Sequence, residues 1–193
     1  MAWNFLSEGF IGAIIGAAAS ISGGFFASSY QMKQQKKAEG EKQKQRIKVS
    51  AEIVYGDVIT LIKAMIFYQR NGNKIVGFYF DYSTDYSSHV DLLADRIGGD
   101  KTFLLRRIYG HLVYLQHATL VPTISSTEIN LLASPVYEAA CKLLYGSVGN
   151  FIGKTGHLWE TLTEENYDHL TNGMEHNVKM LIEQLEELKS ERL

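Results

Sequence analysis

From Gly9 to Met32 the chain carries no charged side chain, and this stretch limits what it can become more than any other feature. Wound as a helix, its 24 residues extend about 36 Å, against a hydrocarbon core of about 30 Å. Phe10, Ile11, Ile14, Ile15, Ile21, Phe25 and Phe26 supply the apolar area, and Trp3 and Tyr30 stand near the two ends, where amphipathic rings favour a membrane interface. The expectation is a single transmembrane helix over roughly Phe10 to Phe26. A cleaved signal peptide fits less well, because Met1 to Gly9 contains no Lys or Arg.

The residues that follow set the expected orientation. Residues 31–48 hold Lys33, Lys36, Lys37, Lys42, Lys44, Arg46 and Lys48 against Glu39 and Glu41, a net charge of +5. Lys and Arg beside a span stay on the cytoplasmic side. The expected topology is therefore N-terminus outside and C-terminal domain cytoplasmic. Lys33, Lys36 and Lys37 lie closest to the span and are the candidates for anionic lipid headgroups.

Within the uncharged stretch, Gly12, Gly16, Ser20, Gly24 and Ser28 recur at every fourth position. Small residues at this spacing let helix backbones approach closely in lipid. The row turns about 40° per step on a straight helix, so one interface uses only part of it. Gly12, Gly16, Ser20 and Gly24 are the candidate residues for homo-oligomerisation. The plainer alternative is a weakly apolar anchor.

Beyond the basic run the balance reverses, and residues 49–193 carry a net −6. An acidic domain is poorly suited to non-specific nucleic-acid binding, which depends on neutralising phosphates. Only two prolines occur, Pro122 and Pro135, which favours an all-α fold. The single cysteine, Cys141, excludes an intrachain disulfide and lies in an apolar stretch that predicts a buried thiol. The expected organisation is a transmembrane anchor over 1–30, a basic helical stalk over 31–48, and a bundle of about four to five helices over 49–193.

Apolar periodicity places the helices of that bundle. Val54, Val58, Leu61, Ile62, Met65 and Ile66 form one face of a helix ending near Asn71-Gly72-Asn73. Ser88 and Asp91 suggest a capping box opening a helix to Ile97, stopped by Gly98-Gly99. Asp100 is expected to cap the next, with Phe103, Leu104, Ile108, Leu112 and Leu115 inward. Ser125 to Glu128 opens another, and Ser134-Pro135 is expected to restart it with proline in the first turn. The last helix is expected from about Thr163, capped by Thr161 to Glu164. Its stripe of Leu170, Met174, Val178, Leu181, Leu185 and Leu188 suits a bundle member or a short coiled coil. Ile75 to Tyr86, dense in aromatics, reads as a strand or an ordered loop.

Arg106 and His111 enclose four residues on a predicted helix. This Arg-x4-His spacing resembles that of HEPN-type ribonucleases, α-helical bundles in which such a pair forms a composite site at a dimer interface. The resemblance covers this one motif, and Arg107 stands where a smaller polar residue is usual. It implies a tethered ribonuclease with Arg106 and His111 as catalytic residues.

Other chemistry fails on spacing. Gly149 to Thr155 ends like a phosphate-binding loop, but Val148 occupies the required glycine position. Asp81, Ser83 and Asp85 begin like a calcium loop, but Tyr86 and Leu92 stand where glycine and glutamate belong. His169 and His176 are about 10 Å apart along a helix, too far for one zinc. No metal or cofactor is expected. The leading expectation is non-enzymatic: a membrane-anchored, self-associating protein whose bundle senses or binds a protein partner, either as a membrane-perturbing effector or as a scaffold of a larger membrane complex.

Overall fold

The computed structural model describes residues 4–71, 82–120, 126–156 and 170–191, with the side chains of 4–23, 25–27, 118–120 and 126–132 outside that description. Among the described residues there are six helices and no strand, so the expected all-α class holds. They are α1 (Asn4–Arg70), α2 (Tyr86–Ile97), α3 (Gly99–Leu120), α4 (Ser126–Tyr145), α5 (Val148–Thr155) and α6 (His176–Ser190). The chain divides into two compact units, Met1–Gln45 and Arg46–Arg192.

In the first unit α1 carries the uncharged stretch and most of the basic run. Lys33, Lys36 and Lys37 are exposed, and Lys37 lies 4.0 Å from Glu41 one turn on. Among the described residues no helix is long and apolar enough to cross a membrane. The side chains that would form the expected span, and those of Gly12, Gly16 and Ser20, lie outside the described set. Gly24 is exposed, with nothing within 4 Å of a Cβ built on it.

The second unit begins with the last part of α1, where Ile47, Ala51, Val54, Val58, Leu61, Ile62 and Met65 are buried at helical spacing. α1 ends at Arg70, where the sequence places it, and the Asn71 side-chain amide donates to the Phe67 carbonyl. α2 buries Val90, Leu93 and Ile97 and turns into α3 through the single residue Gly98, at φ +85°. The left-handed conformation suits glycine there. Thr102 closes the corner by donating both its N–H and its hydroxyl to the Gly98 carbonyl.

α2 packs on α3, α3 on α4, α4 on α5, and α6 returns to α3. Leu105, Ile108, Tyr109 and Leu112 of α3, Ala140, Cys141 and Leu144 of α4, and Phe151 of α5 are fully buried. Tyr137 and Tyr145 meet the Phe151 ring edge-on, at 5.9 and 5.2 Å between centroids. The Tyr137 hydroxyl is buried beside the Cys141 thiol, without a well-formed hydrogen bond among the described residues. Cys141 is buried as expected.

Five local expectations are corrected. Ser88 does not cap α2, which begins two residues earlier at Tyr86; its hydroxyl donates to the Asp85 carboxylate at 2.7 Å. Asp100 lies in the first turn of α3, not before it, and Phe103 points outward, 65% exposed. α4 runs through Pro135 instead of restarting there; burial of Ala133, Tyr137 and Ala140 on the same helix outweighs a proline penalty of about 3 kcal/mol. The last helix starts at His176, because Gly173 turns the chain at φ +89°. Leu170 and Met174 are nonetheless buried with Val178, Leu181, Leu185 and Leu188, so the stripe serves this bundle. Trp3, Ile75 to Asp81, Ser125, Thr161 to Glu164 and His169 lie outside the described residues.

Candidate functional site

α3 supplies the side chains around which a site forms. Its inward arc is Leu105, Ile108, Tyr109, Leu112 and Leu115, all buried. The opposite arc carries Asp100, Phe103, Arg107, Gly110, Tyr114 and His117, all exposed. Exposed Phe and Tyr on one helix face, 65% and 44% accessible, with Arg between them, match the residue types that anchor protein interfaces.

Beside this face runs a groove of about 830 Å³ between α3, α4 and the start of α6. Phe103, Leu104, Leu143 and Val178 give it an apolar floor, and Arg107 and Lys142 stand on it as cations. Neither Arg107 nor Lys142 has an ion-pair partner among the described residues. At one end Glu175 approaches Gly146, whose φ of +76° ends α4, and the Glu175 N–H donates to the Leu144 carbonyl at 2.8 Å. The arrangement can hold a chain segment by apolar contact and charge. No Ser, Thr or Cys is among its lining residues.

Arg106 and His111 are not brought together within one chain. Five residues apart, they point about 140° from each other around α3. Arg106 turns to α2, where its guanidinium meets the Asp91 carboxylate at 2.8 Å. His111 is half-buried, and its pKa is lowered from the usual histidine value, first by burial and then by the Arg107 charge four residues before it.

Two polar clusters inside the bundle were not expected from the sequence. Asp57 of α1, itself buried, accepts from the Tyr109 hydroxyl at 2.6 Å and, with both oxygens, from the Ser83 N–H at 3.2 Å. Tyr86 stacks on Tyr109 at 4.3 Å and 14°. Burial and the Asp57 carboxylate push the Tyr109 hydroxyl far above the tyrosine range, so it keeps its proton. This cluster ties α1 to α3 and to the turn before α2. Ser50 and His89 meet through Oγ and Nδ1 at 3.0 Å. Ser50 is buried, and no carboxylate among the described residues orients the His89 ring, so the pair lacks the access and the third member that nucleophilic catalysis needs.

No group of three or more His, Cys, Asp or Glu among the described residues is placed to hold a metal. The signal for the outward face lay in helical phase: Phe103 stands about 180° from the centre of the α3 core arc. No protein-family model, no curated protein and no solved structure matches this chain.

Proposed function

We propose that the chain is a membrane-anchored, self-associating helical protein whose cytoplasmic bundle binds a protein partner. The observation that carries this reading is the continuity of α1 from Asn4 to Arg70. The uncharged stretch, the basic run and the first core helix of the bundle are one element, without a loop between them. Membrane insertion and the orientation follow from the sequence: 24 uncharged residues, then a net +5. Gly12, Gly16, Ser20 and Gly24 supply the association face, and Lys33, Lys36 and Lys37 meet anionic headgroups. The partner site is the groove of α3, α4 and α6 with Arg107 and Lys142, neither of them ion-paired among the described residues.

The protein acts either as a scaffold or as an effector that perturbs the membrane. The ribonuclease alternative has less support, since Arg106 is engaged by Asp91 and turned away from His111. The test is the oligomeric state of the full-length protein in nanodiscs, compared with Gly16→Leu. A defined oligomer dissolved by the substitution supports the reading. A monomer in both cases removes self-association through the helix, and failure of the chain to enter membranes at all removes the anchor.

A further inference from the structure

The groove between α3, α4 and the start of α6 differs in charge from the domain around it. Residues 49–193 carry a net −6, yet the groove is lined by Lys101, Arg107 and Lys142 against Asp100 and Glu175, a net +1. Lys101 donates to the Gln184 side chain, and the Glu175 carboxylate is turned to Gly146. Arg107 and Lys142 are exposed, and neither is ion-paired among the described residues. Two cations therefore stand over an apolar floor, and no described carboxylate answers them.

The floor is shallow. Phe103 is 65% exposed, while Leu104 and Val178 beside it are buried. A small molecule would not be enclosed here, because small-ligand sites bury most of the ligand's surface. An open apolar strip flanked by charge suits the side of an amphipathic helix, anchored by apolar residues one turn apart.

We infer that the groove takes an acidic amphipathic helix of a partner protein, its apolar stripe against Phe103, Leu104, Leu143 and Val178 and its flanking carboxylates on Arg107 and Lys142. The inference rests on the groove being the partner site, as proposed above. Phe103 and Arg107 are four residues apart and share one face of α3. A helix that sets an apolar side chain on the ring carries a carboxylate three or four residues away on the same side, at the guanidinium. The guanidinium takes that carboxylate through two parallel hydrogen bonds, and Lys142 adds a point charge from α4. Apolar contact holds the helix in place, and the two cations select the sign of its charge.

Two synthetic amphipathic peptides test this, with the same leucine stripe at helical spacing, one flanked by Glu and the other by Lys. Fluorescence anisotropy reads their binding to the full-length chain in phosphatidylcholine nanodiscs. The Glu peptide is expected to bind about tenfold more tightly than the Lys peptide, and Phe103→Ser to weaken it. Arg107→Glu with Lys142→Glu is expected to invert the preference. All three positions are exposed, and the basic run of α1 is the same in every variant, so an inversion belongs to the groove. A Glu peptide that binds the double variant as tightly as the native chain overturns the inference, since the basic run then holds it. Equal binding of both peptides, lost in Phe103→Ser, overturns the acidic preference and leaves the groove as the partner site. Displacement of the Glu peptide by phosphatidylglycerol vesicles makes the anionic ligand a lipid and overturns a protein occupant. No binding of either peptide overturns both the acidic helix and the groove as its site.

Discussion

The Tyr109 hydroxyl donates to the Asp57 carboxylate across 2.6 Å, joining the middle of α3 to the bundle end of α1 inside the core. Because Asp57 is buried, losing that donor leaves a desolvated charge with fewer partners. Tyr109→Phe is expected to destabilise the bundle by about 1–3 kcal/mol, measured as a lower urea midpoint with an unchanged slope. A midpoint equal to that of the native protein would show that the hydroxyl contributes nothing.

His111 gives the bundle an acid-sensitive limb. Its folded pKa lies below the 6.5 of the unfolded chain, so the native state binds fewer protons than the unfolded one. Its contribution is complete above the unfolded pKa and is lost as pH falls from about 6.5 through the folded value. In His111→Gln the stability profile over this window should be flatter than in the native protein. Parallel profiles for the two would assign the acid sensitivity to other groups.

Burial pushes the Cys141 thiol up to about 12, where almost no thiolate exists near neutral pH. Ellman's reagent at pH 8 is expected to leave the native protein untouched and to label one thiol per chain in guanidinium. Prompt labelling of the folded protein would contradict the packing of α4.

At Tyr137 the buried hydroxyl has no well-formed hydrogen bond among the described residues and only the weak Cys141 thiol beside it, and burial holds its proton far more tightly than in an exposed tyrosine. Removing an unsatisfied polar atom while keeping the ring should cost nothing. Tyr137→Phe is expected to raise stability by about 1 kcal/mol, read as a higher melting temperature; a lower one would mean that the hydroxyl has a partner in solution.

The all-α class and most of the core were legible because burial follows helical period. Val54, Val58, Leu61, Ile62, Met65 and Ile66 were expected on one face and are buried there. Phe103 was misplaced because hydrophobicity outweighed phase: Leu104 and Leu105 beside it already define the inward arc, and Phe103 lies opposite. Pro135 misled because local propensity treats proline as a stop, while tertiary burial on both sides carries α4 through. The tie from Asp57 to Tyr109 spans 52 residues, and no local pattern announces a pairing at that separation. The groove arises where α3 and α4 meet the distant α6, and its cations are unremarkable in the sequence until they are seen on one surface.

The corner at Gly98 is held from a third side. Asp57 holds the turn before α2 through the Ser83 N–H and the middle of α3 through Tyr109, while Gly98 joins those two helices with one residue. One carboxylate on α1 is thus the common anchor of the approach to α2 and of α3, so Asp57→Asn is expected to loosen both together.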